Sequence, residues 1–340
     1  MQETNPFLLS GKRVLVTGGS MGIGMGIVKR FVSAGARVLI ADKATEPAQR
    51  YINSLQSPLR NSVAVVNVDL MDQSAPETMI SEIVRSFGGI DILINNAGIY
   101  PMAPMMEMKP DLFDKVYTLN LKAAAFTCRE AARQMIKQST GGKIVVIASI
   151  DSIHPSSVGL AAYDSSKGGV LMFTKNFALE VAKYGINVNA IAPGGIATEG
   201  SSLSSPLSKM PKEEIEKITA GFIAQIPLGR MGLPDDIAKV AMLINVARAE
   251  IIDQKDLFDH LSRNLEFKAG IDVWWTEPLS KGKFETDFPF LELENLIGSP
   301  HNSSVAEGET VYAYEQALAN VSRYVHNQNV RNKVNRSDYS

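Results

Sequence analysis

Two side chains that can exchange protons lie four residues apart in the segment Tyr163-Asp164-Ser165-Ser166-Lys167. In a helix this spacing places the phenol of Tyr163 and the ammonium group of Lys167 on the same face. A free phenol has a pKa of about 10 and is a poor base at neutral pH. A neighbouring positive charge favours the phenolate. The pair therefore predicts a phenol that takes a proton from a substrate hydroxyl and can return it to a carbonyl.

A glycine-rich turn near the start of the chain has the sequence Thr17-Gly18-Gly19-Ser20-Met21-Gly22-Ile23-Gly24. It lies between an apolar segment and a predicted helix, which is the context that a dinucleotide pyrophosphate requires. The first glycine permits the tight turn, and the later ones let the backbone and the helix approach the pyrophosphate without a Cβ. The positive N-terminal end of the helix points at the phosphates. The turn therefore predicts a nucleotide-binding site.

The elements that must position these residues follow from the hydrophobic pattern. Short apolar segments, rich in Val and Ile, alternate with amphipathic ones through about residue 245. Apolar segments of this kind are typical of strands buried on both faces. The repetition predicts an α/β fold with a doubly wound parallel sheet. We expect strands at 13–16, 37–41, 63–68, 90–95, 143–148 and 187–191, and helices near 22–34, 45–56, 75–87, 111–137 and 163–183.

The composition excludes several classes of protein. The net charge of -2 gives no sign of nucleic-acid binding. No apolar run approaches the ~20 residues of a membrane span, and the first ten residues lack the features of a secretory signal. Cys128 is the only cysteine, so we expect a buried structural thiol and a reducing, cytoplasmic location. The histidines form no zinc-like pair, so no metal site is expected.

Together and in this order, the glycine turn and the Tyr163/Lys167 pair resemble the short-chain dehydrogenase/reductase family over about residues 8–245. The resemblance implies a Rossmann-like domain over residues 1–245 that binds a nicotinamide cofactor and a small-molecule substrate. It also implies a dimer or tetramer, formed through the long helices near 111–137 and 163–183. Three further segments are similar to that family: Asn95-Asn96-Ala97-Gly98, Tyr117-Thr118-Leu119-Asn120 and Pro193-Gly194-Gly195-Ile196-Ala197-Thr198.

The resemblance implies a role for each polar residue of the predicted site. Tyr163 would exchange the proton, and Lys167 would also bind the nicotinamide ribose. Ser149 would hold the reacting oxygen, with Ser152 as the alternative, and Asn120 would hold a water that relays the proton. We expect cofactor contacts from Gly18, Ser20, Met21, Gly22, Ile23, Gly24, Asp42, Asp69, Asn96, Ala97, Gly98, Tyr163, Lys167, Pro193, Gly194, Ile196 and Thr198.

The choice between the two nicotinamide cofactors depends on the end of the second predicted strand. Asp42 lies there, about 20 residues after the glycine turn. Its carboxylate can accept hydrogen bonds from the adenosine ribose and would repel a 2′-phosphate. Met21 lies where NADP-preferring relatives often carry Arg or Lys, whereas Lys43 favours NADP. The pattern predicts NAD as the cofactor and leaves NADP as the alternative.

The C-terminal part of the chain is similar to a different family, the D-2-hydroxyacid dehydrogenases, over about residues 243–335. In that family an arginine grips the substrate carboxylate and a Glu–His pair exchanges the proton. The matching residues are Arg248, Glu277 and His301. The family's own glycine motif and substrate domain are missing from this sequence. A natural fusion, a gene rearrangement or an engineered chimera would each produce such a chain.

Residues 246–340 therefore resemble only the second half of a nucleotide domain, and we expect them not to fold independently. Half a sheet would expose its edges and an apolar face. We expect helices at 254–264 and 304–326. We also expect a strand within 267–274 that adds beside 187–191 and replaces the last strand of the short-chain fold.

The sequence predicts an NAD-dependent dehydrogenase of a secondary alcohol, a polyol or a sugar. Segment 198–212 is rich in Ser, Gly and Pro, follows a strand end, and predicts a substrate lid. Three alternatives stay open: a 3-oxoacyl thioester reductase, a D-2-hydroxyacid dehydrogenase that uses the C-terminal residues, and an NAD-binding protein without turnover.

Overall fold

The computed structural model describes residues 9–199, 219–221, 223–224, 226, 229–243, 254–263, 269–271, 287–290, 293 and 296–298. The chain divides into two compact units, and the boundary lies between Ile244 and Asn245. The larger unit is Phe7–Ile244, and the smaller one comprises Met1–Pro6 and Asn245–Ser340.

Six parallel strands form the sheet of the larger unit: β1 (Arg13–Thr17), β2 (Arg37–Asp42), β3 (Val63–Asn67), β4 (Ile92–Asn95), β5 (Gly142–Ile147) and β6 (Ile186–Ile191). Their order across the sheet is β3-β2-β1-β4-β5-β6. The four inner strands are almost entirely buried, whereas β3 and β6 at the edges are half-buried. Burial on both faces is the reason that the inner strands are continuous apolar runs.

Helices cover both faces of this sheet: α1 (Gly22–Ser33), α2 (Glu46–Ser54), α3 (Ala75–Phe87), α4 (Pro110–Tyr117), α5 (Ala124–Gln138), α6 (Ala161–Val181) and α7 (Pro234–Leu243). Apolar side chains of α3, α5 and α6 build the core on one face. Those of α1, α2 and α7 build the core on the other. The predicted doubly wound α/β fold is confirmed.

The predicted helix at 111–137 differs from the observed structure in one respect. It is interrupted by a π-helical turn at Thr118–Ala123, which separates α4 from α5. Such turns are rare and occur frequently at functional sites. The interruption places Asn120 inside the molecule, where 1% of its surface is exposed.

The strand order reverses direction between β1 and β4, because the chain continues outward from β1 through β2 and β3 and then returns to β4. Thr17 pairs with Asn95 at this position, and Asn95 pairs with Val146 on β5. The carboxyl ends of three neighbouring strands therefore meet at one edge. Ligands of open α/β sheets bind at such a switch point.

In the smaller unit, α8 (Gln254–Arg263) confirms the helix expected at 254–264. The predicted strand at 267–274 is only partly correct. Its described part, β7 (Ala269–Ile271), pairs in parallel with β8 (Leu296–Gly298) in a separate two-stranded sheet. The expectation that it adds beside β6 is wrong, because β7 belongs to the two-stranded sheet with β8 and not to the six-stranded sheet. The helix expected at 304–326 lies outside the described residues.

The contact between α1 and α7 depends on a glycine. A Cβ at Gly26 would lie 2.5 Å from the Cβ of Pro234 and 2.9 Å from its carbonyl carbon. The same two helices are joined by Arg30, whose Nε donates to the Oδ1 of Asp235 at 2.6 Å. Both interactions hold α7 against the sheet, since Ile237 and Ala238 of α7 belong to its core.

We predict that Gly26→Ala destabilises the protein. Alanine gains about 1 kcal/mol over glycine in a helix interior, but here its Cβ would displace the backbone of Pro234. Gly168→Ala in α6 is the matched control, because the nearest atom to its Cβ would be Ser152 O at 3.7 Å. Urea unfolding followed by circular dichroism should show a lower midpoint for Gly26→Ala alone. Equal midpoints for the two variants would contradict this account of the contact.

Candidate active site

The side chain of Asn120 connects three parts of the larger unit. Its Oδ1 accepts from the backbone N–H of Ile99 at 2.8 Å, and its Nδ2 donates to the backbone oxygen of Ile99 at 2.8 Å. The same Nδ2 donates to the Oγ of Ser166 at 3.1 Å. Ser166 in turn donates to the backbone oxygen of Tyr163 at 2.7 Å. The loop after β4 and the first turns of α6 are thus fixed to the π-helical turn.

Tyr163 lies in the first turn of α6, and its ring packs edge-on against Tyr100 at a centroid separation of 6.0 Å. Burial raises the pKa of its phenol above the ordinary value. The Ser149 side chain opposes this rise, whereas Asp151, Asp164 and Tyr100 add to it. The direction of this pKa shift is opposite to the one that the Tyr163/Lys167 spacing predicts, because the effect of burial outweighs that of the Ser149 side chain.

Lys167 is almost completely buried, with 4% of its surface exposed. Its Nζ donates to the backbone oxygen of Ile147 at 2.7 Å and lies 5.9 Å from the centroid of the Tyr163 ring. Burial lowers the pKa of this ammonium to about 8. A Cβ at Gly98 would lie 3.5 Å from the Nζ and 3.1 Å from Asn120 Oδ1. Glycine at this position therefore leaves space beside both polar groups.

Ser149 follows β5, and 6% of its surface is exposed. Its Oγ donates to the Oδ2 of Asp151 at 3.0 Å and accepts from the backbone N–H of Asp151 at 3.2 Å. The Oγ of Ser152 accepts from the backbone N–H of Ser149 at 3.2 Å. Ser152 thus supports the backbone of the turn, whereas Ser149 influences the phenol of Tyr163. The geometry favours Ser149 over Ser152 as the residue beside the reacting oxygen.

The ends of β1 and β4 are joined by Thr17, to which sequence reasoning assigned no role. Its Oγ1 accepts from the backbone N–H groups of Asn96 and Ala97 at 3.0 and 3.1 Å, and donates to Asn95 Oδ1 at 3.3 Å. The Nδ2 of Asn96 donates to the backbone oxygens of Thr17 and Gly18, each at 3.0 Å. Asn95 donates to the backbone oxygen of Ala124 at 2.8 Å, which joins the end of β4 to α5.

The glycine turn is shaped as a nucleotide cradle requires. Gly18 has a φ of 61°, and its Cβ would lie 2.9 Å from the Cα of Ala97. A Cβ at Gly24 would collide with the backbone oxygen of Gly18. Gly22 has a φ of 54° and faces Thr198, whose Cβ would lie 3.4 Å from the added atom. These positions exclude side chains, as close approach to a pyrophosphate demands.

Two polar groups of the cradle fit a nucleotide. The Oγ of Ser20 is buried and has no hydrogen-bond partner among the described residues. A buried unpaired hydroxyl is costly, and a phosphate oxygen would satisfy it. Asp42 accepts from the backbone N–H groups of Ser20 and Ala44, each at 3.1 Å, and keeps further acceptor positions for a ribose.

Other predicted cofactor residues flank the same edge of the sheet. The backbone oxygen of Pro193 accepts from Ile150 N at 2.9 Å, and Ile196 forms a parallel bridge with Gly232. Asp69 accepts from the backbone N–H of Met71 at 3.0 Å. Met21 is exposed, as is Lys43. Four predicted features lie outside the described residues: Arg248, Glu277, His301 and, beyond Glu199, the predicted lid.

Three observations concern other sequence expectations. Cys128 is fully buried, and burial raises the pKa of its thiol to about 12, which confirms a structural thiol. Within the described ranges, no helix is both long and apolar enough to cross a membrane. Sequence reasoning assigned no role to Ser166 or Asp151. Their one signal is their position, because Ser166 directly precedes Lys167 and Asp151 lies two residues after Ser149.

Two families match the chain. Residues 12–206 match the short chain dehydrogenase family, and residues 235–303 match the NAD binding domain of D-isomer specific 2-hydroxyacid dehydrogenases. Both families imply a nicotinamide cofactor. The two matched ranges do not overlap. The first contains Tyr163 and Lys167, and the second contains Arg248, Glu277 and His301.

Curated relatives match the first stretch at high coverage. A 3-oxoacyl-[acyl-carrier-protein] reductase from Chlamydia pneumoniae is 37% identical over 69% of this chain and 90% of the relative. An L-rhamnose 1-dehydrogenase (NAD(P)(+)) from Azotobacter vinelandii is 33% identical over 68% and 88%. A galactitol 2-dehydrogenase from Agrobacterium fabrum is 32% identical over 72% and 94%.

Solved structures agree with these relatives. A short-chain type dehydrogenase/reductase from Mycobacterium marinum has a TM-score of 0.62 and 30% identity, and covers 70% of this chain and 89% of that one. Levodione reductase has a TM-score of 0.63 and 29% identity, with coverages of 69% and 94%. The chain belongs to the short-chain dehydrogenase family and is an NAD(P)-dependent oxidoreductase acting on CH–OH groups.

Proposed function

We propose that this protein interconverts a secondary alcohol, polyol or sugar hydroxyl and its carbonyl with NAD as the cofactor. One observation carries the proposal. Tyr163 and Lys167 lie on α6, which Asn120 fixes through Ser166, and Ser149 follows β5. The glycine turn of the same unit has a buried Ser20 hydroxyl without a partner among the described residues. Proton-transfer groups and a nucleotide cradle at one switch point are what hydride transfer from an alcohol requires.

The bound nicotinamide supplies the acceptor or donor of the hydride. The residues of the chain manage the accompanying proton: Tyr163 takes it from the substrate hydroxyl, and Ser149 holds the same oxygen. Lys167 supplies the positive charge that favours the phenolate. Both hydrogens of Asn120 Nδ2 are already used, so this residue contributes to a relay only through Oδ1 or by fixing the backbone of Ile99.

The position of Asp42 supports NAD over NADP. The carboxylate of Asp42 is held at the end of β2 by two backbone N–H groups, where a 2′-phosphate would meet its charge. Gly18, Ser20, Gly22 and Gly24 would hold the pyrophosphate, and Lys167 would bind the ribose next to the nicotinamide. Lys43, which is exposed, is the opposing feature.

The substrate class rests on the named relatives, since galactitol and L-rhamnose dehydrogenases share about a third of their residues with this chain. The reductase from Chlamydia pneumoniae favours a second candidate, reduction of a 3-oxoacyl thioester. We propose oxidation of an alcohol because Asp42 favours NAD, which would accept the hydride in that direction. A panel of galactitol, sorbitol, L-rhamnose and an acetoacetyl thioester separates the candidates.

We propose that residues 1–245 form the catalytic domain and that 246–340 are a partial segment of the second family without activity of its own. The protein is also proposed to associate with copies of itself. Exposed apolar side chains on the outer faces of α5 and α6 support this, among them Phe126 at 39%, Met172 at 63% and Leu179 at 78% exposure.

A prediction about the proposed catalysis concerns Tyr163. Tyr163→Phe removes the proton acceptor and keeps the ring, so turnover should fall by at least about 100-fold, the scale of general acid–base catalysis. NAD binding, measured by calorimetry, should be unchanged. Tyr184→Phe, at an exposed position after α6, is the matched control and should keep full activity. Near-normal turnover of purified Tyr163→Phe would refute the assignment.

A second prediction concerns the cofactor. Asp42→Ala and Asp42→Asn should each narrow the preference for NAD over NADP in kcat/KM by about 10-fold or more, the scale of a hydrogen bond to a charged group. Asp111→Ala, an exposed carboxylate in the first turn of α4, should leave the ratio unchanged. A wild-type preference for NADP would mean that Lys43 outweighs Asp42.

The last prediction here concerns the second-family residues. They belong to a segment that lacks the glycine half of its nucleotide domain, so they have no cofactor to serve. We predict no oxidation of D-lactate or D-glycerate, and unchanged alcohol oxidation in His301→Ala. Oxidation of a 2-hydroxy acid that His301→Ala abolishes would show that this segment is active.

A further inference from the structure

Asp151 is the charged residue that contacts Ser149 directly. It lies in the short 3-10 turn Ile150–Ser152, immediately after β5. Its Oδ2 accepts the Ser149 hydroxyl at 3.0 Å, and its backbone N–H donates to the same hydroxyl oxygen at 3.2 Å. Its other oxygen, Oδ1, is buried and has no partner among the described residues. The carboxylate is therefore held close to the reacting groups and is not neutralised by a cation.

The Ser149 hydroxyl has one hydrogen, and this limits what it can do. A carboxylate only accepts, so the hydrogen of Ser149 points at Asp151 in the observed contact. While it does so, Ser149 offers only a lone pair to Tyr163 and to the substrate oxygen. Donation to the phenolate, or to a substrate carbonyl, requires the hydroxyl to rotate away from Asp151.

We propose that Asp151 is a positioning residue that sets the direction in which Ser149 donates its hydrogen bond, and through it the ease with which Tyr163 gives up its proton. The inference rests on the proposed function. With Asp151 present, Ser149 acts mainly as an acceptor and Tyr163 is kept protonated, ready to act as an acid towards a carbonyl. Without it, the hydrogen of Ser149 is free to stabilise the phenolate.

The groups that face the Tyr163 phenol make this effect measurable. Burial raises its pKa, the Ser149 side chain lowers it when its hydrogen is turned towards the phenolate, and the carboxylates of Asp151 and Asp164 and the phenol of Tyr100 raise it. The Nζ of Lys167 lies 5.9 Å from the centroid of the ring and donates to the backbone oxygen of Ile147. Asp164 also raises the pKa of the phenol, but unlike Asp151 it has no hydrogen bond to Ser149 among the contacts described. It is the matched control for charge alone.

The experiment compares Asp151→Asn, Asp151→Ala and Asp164→Asn with the wild-type chain. The pH dependence of kcat/KM is measured with NAD and whichever alcohol of the panel is turned over. The acidic limb should move to lower pH by about one unit in both Asp151 variants, the scale of removing a close like charge and gaining a donor. It should move clearly less in Asp164→Asn. A profile for the Asp151 variants that superimposes on wild type, or on Asp164→Asn, would overturn the proposal.

A double variant tests whether Asp151 acts through Ser149. In a Ser149→Ala background the hydroxyl is absent, so adding Asp151→Asn should cause little further shift of the limb. A full shift that persists there would show that the charge of Asp151 acts on Tyr163 directly, and would overturn the positioning role. Thermal unfolding of each variant establishes that it is folded, and Asp151→Ala provides a second variant if Asp151→Asn is not.

A titration without substrate gives an independent readout. The near-ultraviolet absorbance of tyrosinate, taken as the difference from Tyr163→Phe, reports the ionisation of this one phenol. Its midpoint should fall in Asp151→Asn, and an unchanged midpoint would count against the inference. Activity retained in Tyr163→Phe would instead refute the proposed function. The two failures are therefore distinguishable.

Discussion

The arrangement of the site depends on the amide of Asn120. The amide is almost completely buried, and it bonds to both backbone groups of Ile99 and to the hydroxyl of Ser166. Leaving a buried amide unpaired would cost about 1–3 kcal/mol for each unmade hydrogen bond. The π-helical turn brings the amide inward, and the amide then fixes the loop after β4 against the helix of Tyr163 and Lys167. The π-helical turn therefore helps to fix the distance between the proposed nucleotide site and the proposed proton-transfer groups.

Burial acts on the two proton-transfer groups in opposite directions. It raises the pKa of Tyr163 and lowers that of Lys167 to about 8, so it shifts both groups towards their neutral forms, although the ammonium still predominates at neutral pH. We propose that the charge state of the pair also depends on the small groups around it, above all on where the hydroxyl of Ser149 points.

The sequence predicted the sheet of the larger unit well, because buried parallel strands are continuous apolar runs. It also predicted the glycine turn, because the glycines there leave room for a pyrophosphate. It also brought together Tyr163, Lys167, Ser149 and Asn120. It did not predict the π-helical turn or Thr17, since neither leaves a pattern that differs from an ordinary helix or strand end. It placed β7 wrongly beside β6, because an apolar segment shows that it needs a partner strand and does not show which one.

The central claim is that this chain transfers hydride between a carbinol carbon and a nicotinamide at the Tyr163 site. The most direct test is to supply NAD with an alcohol of the panel that carries deuterium at its reacting carbon, and to analyse the reduced cofactor by mass spectrometry. The account predicts that each NADH formed carries the deuterium, and that the rate falls relative to the unlabelled alcohol. Reduced cofactor without deuterium, formed while the alcohol is consumed, would contradict it.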